Sequence, residues 1–140
     1  MDEDKKTFYR VSAKALILNE TGEKFAVILE DNGWWELPGG GLDWPETAEE
    51  CLKREIKEEM GLTVTEVSSA PSYFLIGENM AGKRSVNIVF IVKVADLNFT
   101  PSDECTEMKF VTPEEALTIH AWRNVKELAA QFDSKKHIKI

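Results

Sequence analysis

Strands interleaved with two helical stretches predict an α/β layered domain. Three observations carry that expectation. Residues 8–18 alternate, with Tyr9, Val11, Ala13, Ala15 and Ile17 on one face and Arg10, Ser12 and Lys14 on the other. Residues 85–95 are apolar on both faces, the pattern of a central strand. Residues 45–60 repeat apolar positions at helical spacing and stop at Gly61, a residue suited to a helix C-terminus.

The remaining elements follow in order. Asn19 to Gly22 is a turn, and residues 25–29 form a second strand expected to make a hairpin with the first. Residues 34–37 are extended and run into a loop, Pro38, Gly39, Gly40 and Gly41. Asp43 with Glu46 three residues on resembles a capping box, and Pro45 suits a first helical turn. Strands are expected at 63–67 and 72–77, then a loop over 78–84 before the central strand. Residues 98–105 read as loop and 109–111 as a short strand. Thr112 and Pro113 begin a helical region, and Trp122, Val125, Leu128, Ala129 and Phe132 mark the core side of the last helix. The charged residues 1–6 are expected to be disordered, and the basic tail 133–140 to be a solvated end.

A length of 140 residues fits a single domain with one core. No apolar run reaches the roughly 18 residues of a membrane helix, and the start lacks a signal h-region. A cytoplasmic protein without a membrane partner is expected. The net charge of −8 repels phosphate backbones, so a nucleic-acid polymer is not an expected partner. A small phosphate-bearing substrate would need metal ions to screen the site. Cys51 and Cys105 have neither CxxC nor zinc-site spacing, and Cys51 falls on an apolar helix face. His120 and His137 share no motif and read as surface residues.

The helix carries the chemistry. On a helical wheel Ala48, Cys51, Leu52 and Ile56 form an apolar stripe, and Glu55 and Glu59 fall within roughly 40° of its centre. They stack one turn apart, with Glu58 beside the stripe and Arg54 one turn before Glu58. Two carboxylates roughly 6 Å apart repel by about 3 kcal/mol at an effective dielectric near 20. A hard divalent cation reverses that sign. Glu49 and Glu50 read instead as a solvated acidic face. The glycine run just before the helix exposes backbone amides and carbonyls beside these groups.

Gly40, Glu46, Arg54, Glu55, Ile56, Glu58, Glu59, Gly61 and Leu62 meet every specified position of the Nudix box, and Trp35 to Gly39 resembles its usual lead-in. The chain therefore resembles the Nudix hydrolase family over nearly its whole length. The resemblance implies a single domain, residues 1–140, with an α/β/α sandwich around a mixed β-sheet. It implies magnesium (Mg2+) or manganese (Mn2+) and water attack at phosphorus of a nucleoside diphosphate linked to another moiety. By position, Glu55, Glu58 and Glu59 would be the metal carboxylates, with the Gly40 carbonyl a further ligand. Arg54 would orient the glutamates, Glu46 would tie the loop to the helix, and Gly61 would end it. The general base would be Glu55, or a loop carboxylate at Glu104 or Glu107. Pro45 departs from the glycine frequent in relatives. The family contains many dimers, so a homodimer is one assembly the resemblance allows.

Subfamily signatures for the substrate are absent, and the small chain looks most like members acting on nucleoside triphosphates or on pyrophosphates generally. Candidate substrate contacts are Arg10, Trp34, Tyr73, Arg84 and Asn87, with Trp34 placed to stack on a base. Trp35 and Leu37 are assigned to the core. Two other classes share the fold: ligand-sensing domains, which often lose box glutamates, and prenyl-diphosphate isomerases, which need a reactive pocket cysteine.

Overall fold

The computed structural model describes residues 8–78 and 82–140. The expectation for residues 1–6, and part of the one for 78–84, lies outside the described residues.

Strand β1 (Arg10–Leu16) and strand β2 (Phe25–Glu30) are joined by the Asn19 turn. The expected hairpin exists only beside that turn. Leu18 bridges Phe25, and Ala26 N–H donates to the Ile17 carbonyl at 2.9 Å. Beyond it the strands part into two sheets, because distant strands take both edges of β1. One edge of β1 pairs in parallel with β7 (Arg84–Val94) along its full length. The other pairs antiparallel with β4 (Gly39–Gly41), where a loop was expected. The glycine run serves close approach: a Cβ on Gly39 would lie 2.2 Å from the Ala13 carbonyl oxygen, and its φ is +118°.

β7 is the central strand, as its apolar run predicts. It is long enough to hold two neighbours end to end on its second edge. Strand β6 (Tyr73–Glu78) pairs with its first half and β5 (Val64–Val67) with its last residues. The second sheet is antiparallel, in the order β3 (Trp35–Glu36), β2, β8 (Cys105–Val111). β8 is longer than the short strand expected at 109–111.

Helix α1 (Ala48–Met60) covers one side of this β layer over Ala13, Ala15, Ile28, Cys51, Leu52 and Ile56. The short helix α2 (Pro113–Ala116) and helix α3 (Arg123–Gln131) cover the other over Leu16, Phe25, Leu37, Val89, Val125 and Leu128. The result is a mixed α/β domain with helices on both sides, its β layer split into two sheets. None of the helices is long and apolar enough to cross a membrane, among the described residues.

Two expectations fail for packing reasons. Lys14, assigned to a polar face, is only 7% exposed, because its Nζ turns in to the Leu37 and Gly39 carbonyls and to Glu36. The basic tail is docked rather than solvated. A 3-10 turn at Ser134–Lys136 brings His137 Nε2 to 2.7 Å from the Tyr73 hydroxyl, which also accepts from Asp133 N–H at 3.0 Å. The His137 ring stands edge-on to Phe132, and Ile140 packs on the core.

Burial holds His137 below its ordinary value of 6.5. The folded state therefore favours the neutral ring, and the unfolded chain binds more protons just below pH 6.5. The tail's contribution is complete above that pH and is lost as pH falls toward the folded pKa. Between pH 7.5 and 5.5 the melting temperature of the native chain should fall further than that of His137→Phe. Equal falls would refute the docked neutral ring.

Candidate active site

Helix α1 starts three residues later than its sequence suggests. Thr47 is the N-cap: its Oγ1 accepts from Glu50 N–H at 3.2 Å, and Glu50 Oε1 accepts from Thr47 N–H at 3.0 Å. Glu50, assigned only to a solvated face, thus closes the capping box. Asp43 and Glu46 form a separate turn, in which Glu46 Oε1 accepts from Asp43 N–H at 2.9 Å. That pair makes one bond of the expected capping box but caps no helix, because the chain does not turn helical until Ala48. Gly61 ends the helix in the left-handed region at φ +67°.

The Arg54 guanidinium meets Glu46 at two points, Nε to Oε2 at 3.1 Å and Nη2 to Oε1 at 2.7 Å. These bonds, with the Asp43 amide, hold the Glu46 carboxyl down at about 2. The same guanidinium donates to Glu55 Oε1 at 2.8 Å and lies 3.6 Å from Glu58 Oε2. One cation thus ties the loop before the helix to two of its carboxylates.

Glu59 is 9% exposed and its Oε1 accepts from Gly39 N–H at 3.0 Å. Burial pushes its carboxyl up to about 8, against the opposing pull of Lys14 and the Gly39 amide. The half-buried Glu55 carboxylate packs on Gly40 so closely that a Cβ there would lie 2.6 Å from Glu55 Cδ. Glu58 is exposed.

Among the described residues, no three His, Cys, Asp or Glu side chains converge to hold a metal ion. Glu55 and Glu58 turn toward Arg54 instead. The donors beside α1 are nevertheless all oxygen: Glu59, Glu55 and the Gly40 carbonyl, which the Cys51 thiol approaches at 3.5 Å. Magnesium usually needs one or two carboxylates and keeps its waters, so this set fits such an ion. The buried Glu59 carboxylate is the group with most to gain from a cation.

A cleft of about 830 Å³ opens next to these groups. Ser12, Lys14, Ser85 and Asn87 lie along β1 and β7, Glu30 and Glu36 on the second sheet with Trp34 just before β3, and Trp122, Arg123 and Asn124 at the start of α3. Lys14 connects cleft and glutamates. Its Nζ donates to the Gly39 carbonyl at 3.3 Å and the Leu37 carbonyl at 3.4 Å, and lies 3.9 Å from Glu36 Oε2.

Of the expected substrate contacts, Trp34 and Asn87 line this cleft. The Trp34 ring already stacks on Trp122, with centroids 4.4 Å apart, and meets the tilted His120 ring at 3.7 Å. Arg10 lies outside the cleft, donating to the Leu42 carbonyl at 3.0 Å and pairing with Asp43 at 3.4 Å. Arg84 lies beside Phe8 and Tyr9 at a separate hollow of about 440 Å³. Tyr73 is a core residue, 4% exposed, and its hydroxyl serves the tail. Glu104 is exposed, in a loop tied to α1 by the Ser102 hydroxyl, which donates to the Glu59 carbonyl at 3.0 Å. Glu107 is exposed on β8 opposite Leu29.

Lys14, Glu30, Arg123 and Asn124 carry no motif and were not expected here. Trp122 was assigned to the core face of α3 but stands at its N-terminus, its indole N–H donating to Glu30. Burial outweighs that bond and raises the Glu30 carboxyl above its ordinary value.

The family profile of the NUDIX domain matches residues 8–132. The chain is 34% identical over 107 residues to a MutT-like protein of Streptomyces ambofaciens, covering 76% of this chain and 66% of that one. It is 33% identical over 107 residues to a Methanocaldococcus jannaschii protein named ADP-ribose pyrophosphatase, covering 76% and 56%. The matches thus span about two thirds or less of these relatives. The crystal structure of a MutT protein from Methanosarcina mazei Go1 superposes with a TM-score of 0.75 at 24% identity, covering 93% of this chain and 96% of that one. That likeness is one of fold, and it agrees with the β layer and flanking helices described above. With the profile running from β1 through α3, the chain belongs to the NUDIX family.

Proposed function

We propose that the protein is a divalent-metal-dependent pyrophosphohydrolase that cleaves a nucleoside diphosphate linked to another moiety. The observation that carries this reading is Glu59, a carboxylate buried against Gly39 N–H beside Glu55 and the Gly40 carbonyl. A structural helix gains nothing from such a group. The pyrophosphatase named among the relatives supports the same bond class.

Bound magnesium or manganese would neutralise charge on the phosphoryl oxygens and polarise phosphorus. Glu55, Glu58, Glu59 and the Gly40 carbonyl would hold it, with Glu58 swinging away from Arg54. Arg54 keeps Glu55 oriented and, through Glu46, fixes the loop that presents Gly40. Two carboxylates are candidates for taking the proton from the attacking water. Glu55 is half-buried beside the donors; Glu104 comes from the loop anchored at the Glu59 carbonyl. The cleft next to Lys14 receives the rest of the substrate.

All the box glutamates are present, which disfavours a ligand-sensing role. An isomerase would need a reactive cysteine, yet Cys51 and Cys105 are fully buried and their thiols are pushed up to about 11 by burial. The protein should hydrolyse at least one member of a panel of nucleotides, nucleotide sugars and dinucleotides with Mg2+, and not with EDTA, releasing phosphate or pyrophosphate from a nucleoside triphosphate, or a nucleoside monophosphate and its phosphorylated partner from a nucleotide sugar or dinucleotide. Silence across the panel would sink the reading.

A further inference from the structure

Strand β6 has one partnered edge and one open edge. It pairs with β7, and no strand among the described residues pairs with its other side. The Ser85 hydroxyl donates to the Gly77 carbonyl at 3.4 Å, so the Gly77 backbone faces β7. Backbone groups alternate in direction along a strand, so Phe74 and Ile76 turn their N–H and C=O groups outward.

Open edges recruit further strands, and folded proteins blunt them with charge, proline, shortness or a bulge. The other edge strands here are blunted. β3 has two residues and β4 three, β5 carries a register shift, and β8 bears Glu107 and Lys109. β6 has six regularly paired residues and one charge, Glu78 at its end. Its side chains are equally unprotected. Tyr73 and Leu75 enter the core, but Phe74 is 56% and Ile76 55% exposed. Across the ladder they meet Ile88 and Val86, which are themselves only partly buried. Backbone and apolar patch thus lie open together.

We propose that β6 pairs antiparallel with β6 of a second copy of this chain, about a two-fold axis at Leu75, so that one sheet runs through a homodimer. Identical strands pair antiparallel about a two-fold axis, the commonest dimer symmetry. Directly opposite residues share a face of the sheet. With the axis at Leu75, each Phe74 stands opposite the other copy's Ile76, and both pairs bond through their outward N–H and C=O groups. An axis at Ile76 would set Phe74 against Glu78 instead. The ends suit the same arrangement. Glu78 closes β6 at one end, and the Lys136 ammonium stands over the Tyr73 ring at the other. Antiparallel copies bring these unlike charges to the same ends, at the rim of the cleft that Glu78 lines. Neither the interface nor its test depends on turnover.

Sedimentation of the full chain should show a monomer–dimer equilibrium. Ile76→Lys should raise the dimer dissociation constant at least ~30-fold, the scale of losing one interface hot spot. Phe74→Lys should do the same. Both side chains are more than half exposed in the monomer, so melting temperatures of monomeric samples should hold. A native chain still monomeric at about 1 mM overturns the proposal. So does a dimer that both lysine variants leave intact. The register is read without added charge. An equal mixture of Phe74→Cys and Ile76→Cys chains under mild oxidation should form a mixed disulfide dimer, since opposite Cα atoms would lie about 5.5 Å apart. Each variant alone should stay uncrosslinked. Cross-linking of Ile76→Cys alone, with none in the mixture, overturns the axis at Leu75.

Discussion

Glu59→Gln lowers kcat by at least about a hundredfold, the scale of losing a key charge-stabilising group, and at the same time makes the metal-free protein more stable at pH 8.5. The two effects have one cause. Burial raises the Glu59 carboxyl from 4.5 to about 8. Between those values the folded chain holds a proton that the unfolded chain has released, so stability falls as pH rises from 4.5 to 8. An amide cannot ionise, yet its oxygen can still accept the Gly39 N–H bond. The variant therefore escapes the loss that the native carboxylate suffers. Magnesium should raise the melting temperature of the native protein, since ions that bind only the folded state stabilise it. It should do little for Glu59→Gln. A variant that is inactive, more stable at pH 8.5 and blind to magnesium identifies Glu59 as a cation ligand. Near-normal turnover, or a magnesium shift equal to the native one, refutes the assignment.

Glu59 was legible in the sequence because a helix fixes its own period. Once 48–60 is helical, the wheel places residue 59 beside Cys51, Leu52 and Ile56, and those four are buried together. Lys14 was illegible for the opposite reason. Alternation along β1 is the same whether its polar face meets water or another layer. The decision came from residues 36–39, a remote segment whose carbonyls and carboxylate gather the Lys14 ammonium in. Tyr73 was misplaced in the same way, since its hydroxyl is claimed by a tail residue 60 positions later. Trp122 was assigned by helical spacing, but a residue at a helix N-cap does not follow the face of the turns behind it. The box shows the proposed metal-binding side of the site because its residues are local. The cleft draws on β1, β2, β3, β7 and α3, and no short pattern spans them.

Gly39→Ala and Gly40→Ala, one residue apart, should fail in different ways. At Gly39 the added methyl points at backbone: Ala13 O at 2.2 Å and Lys14 Cα at 2.9 Å. The φ of +118° is also one that an L side chain rarely adopts. Neither conflict is relieved by a rotamer change, because β1 is held by β7 on its far side. We expect about 3 kcal/mol of destabilisation or more, read as a fall in melting temperature of about 10 °C for a chain of this size. At Gly40 the atoms nearest the methyl are the end of a side chain, the Glu55 carboxylate, at 2.6 to 2.8 Å. That carboxylate can swing away, so the fold should survive with a small change in melting temperature. The displaced Glu55 then leaves Gly40 and strains its bond to Arg54, and turnover should fall at least about tenfold while stability is nearly kept. Apparent magnesium affinity should weaken in parallel. If Gly39→Ala melts normally, the β4 register against β1 is wrong. If Gly40→Ala keeps full activity, Glu55 does not act from its position against that glycine.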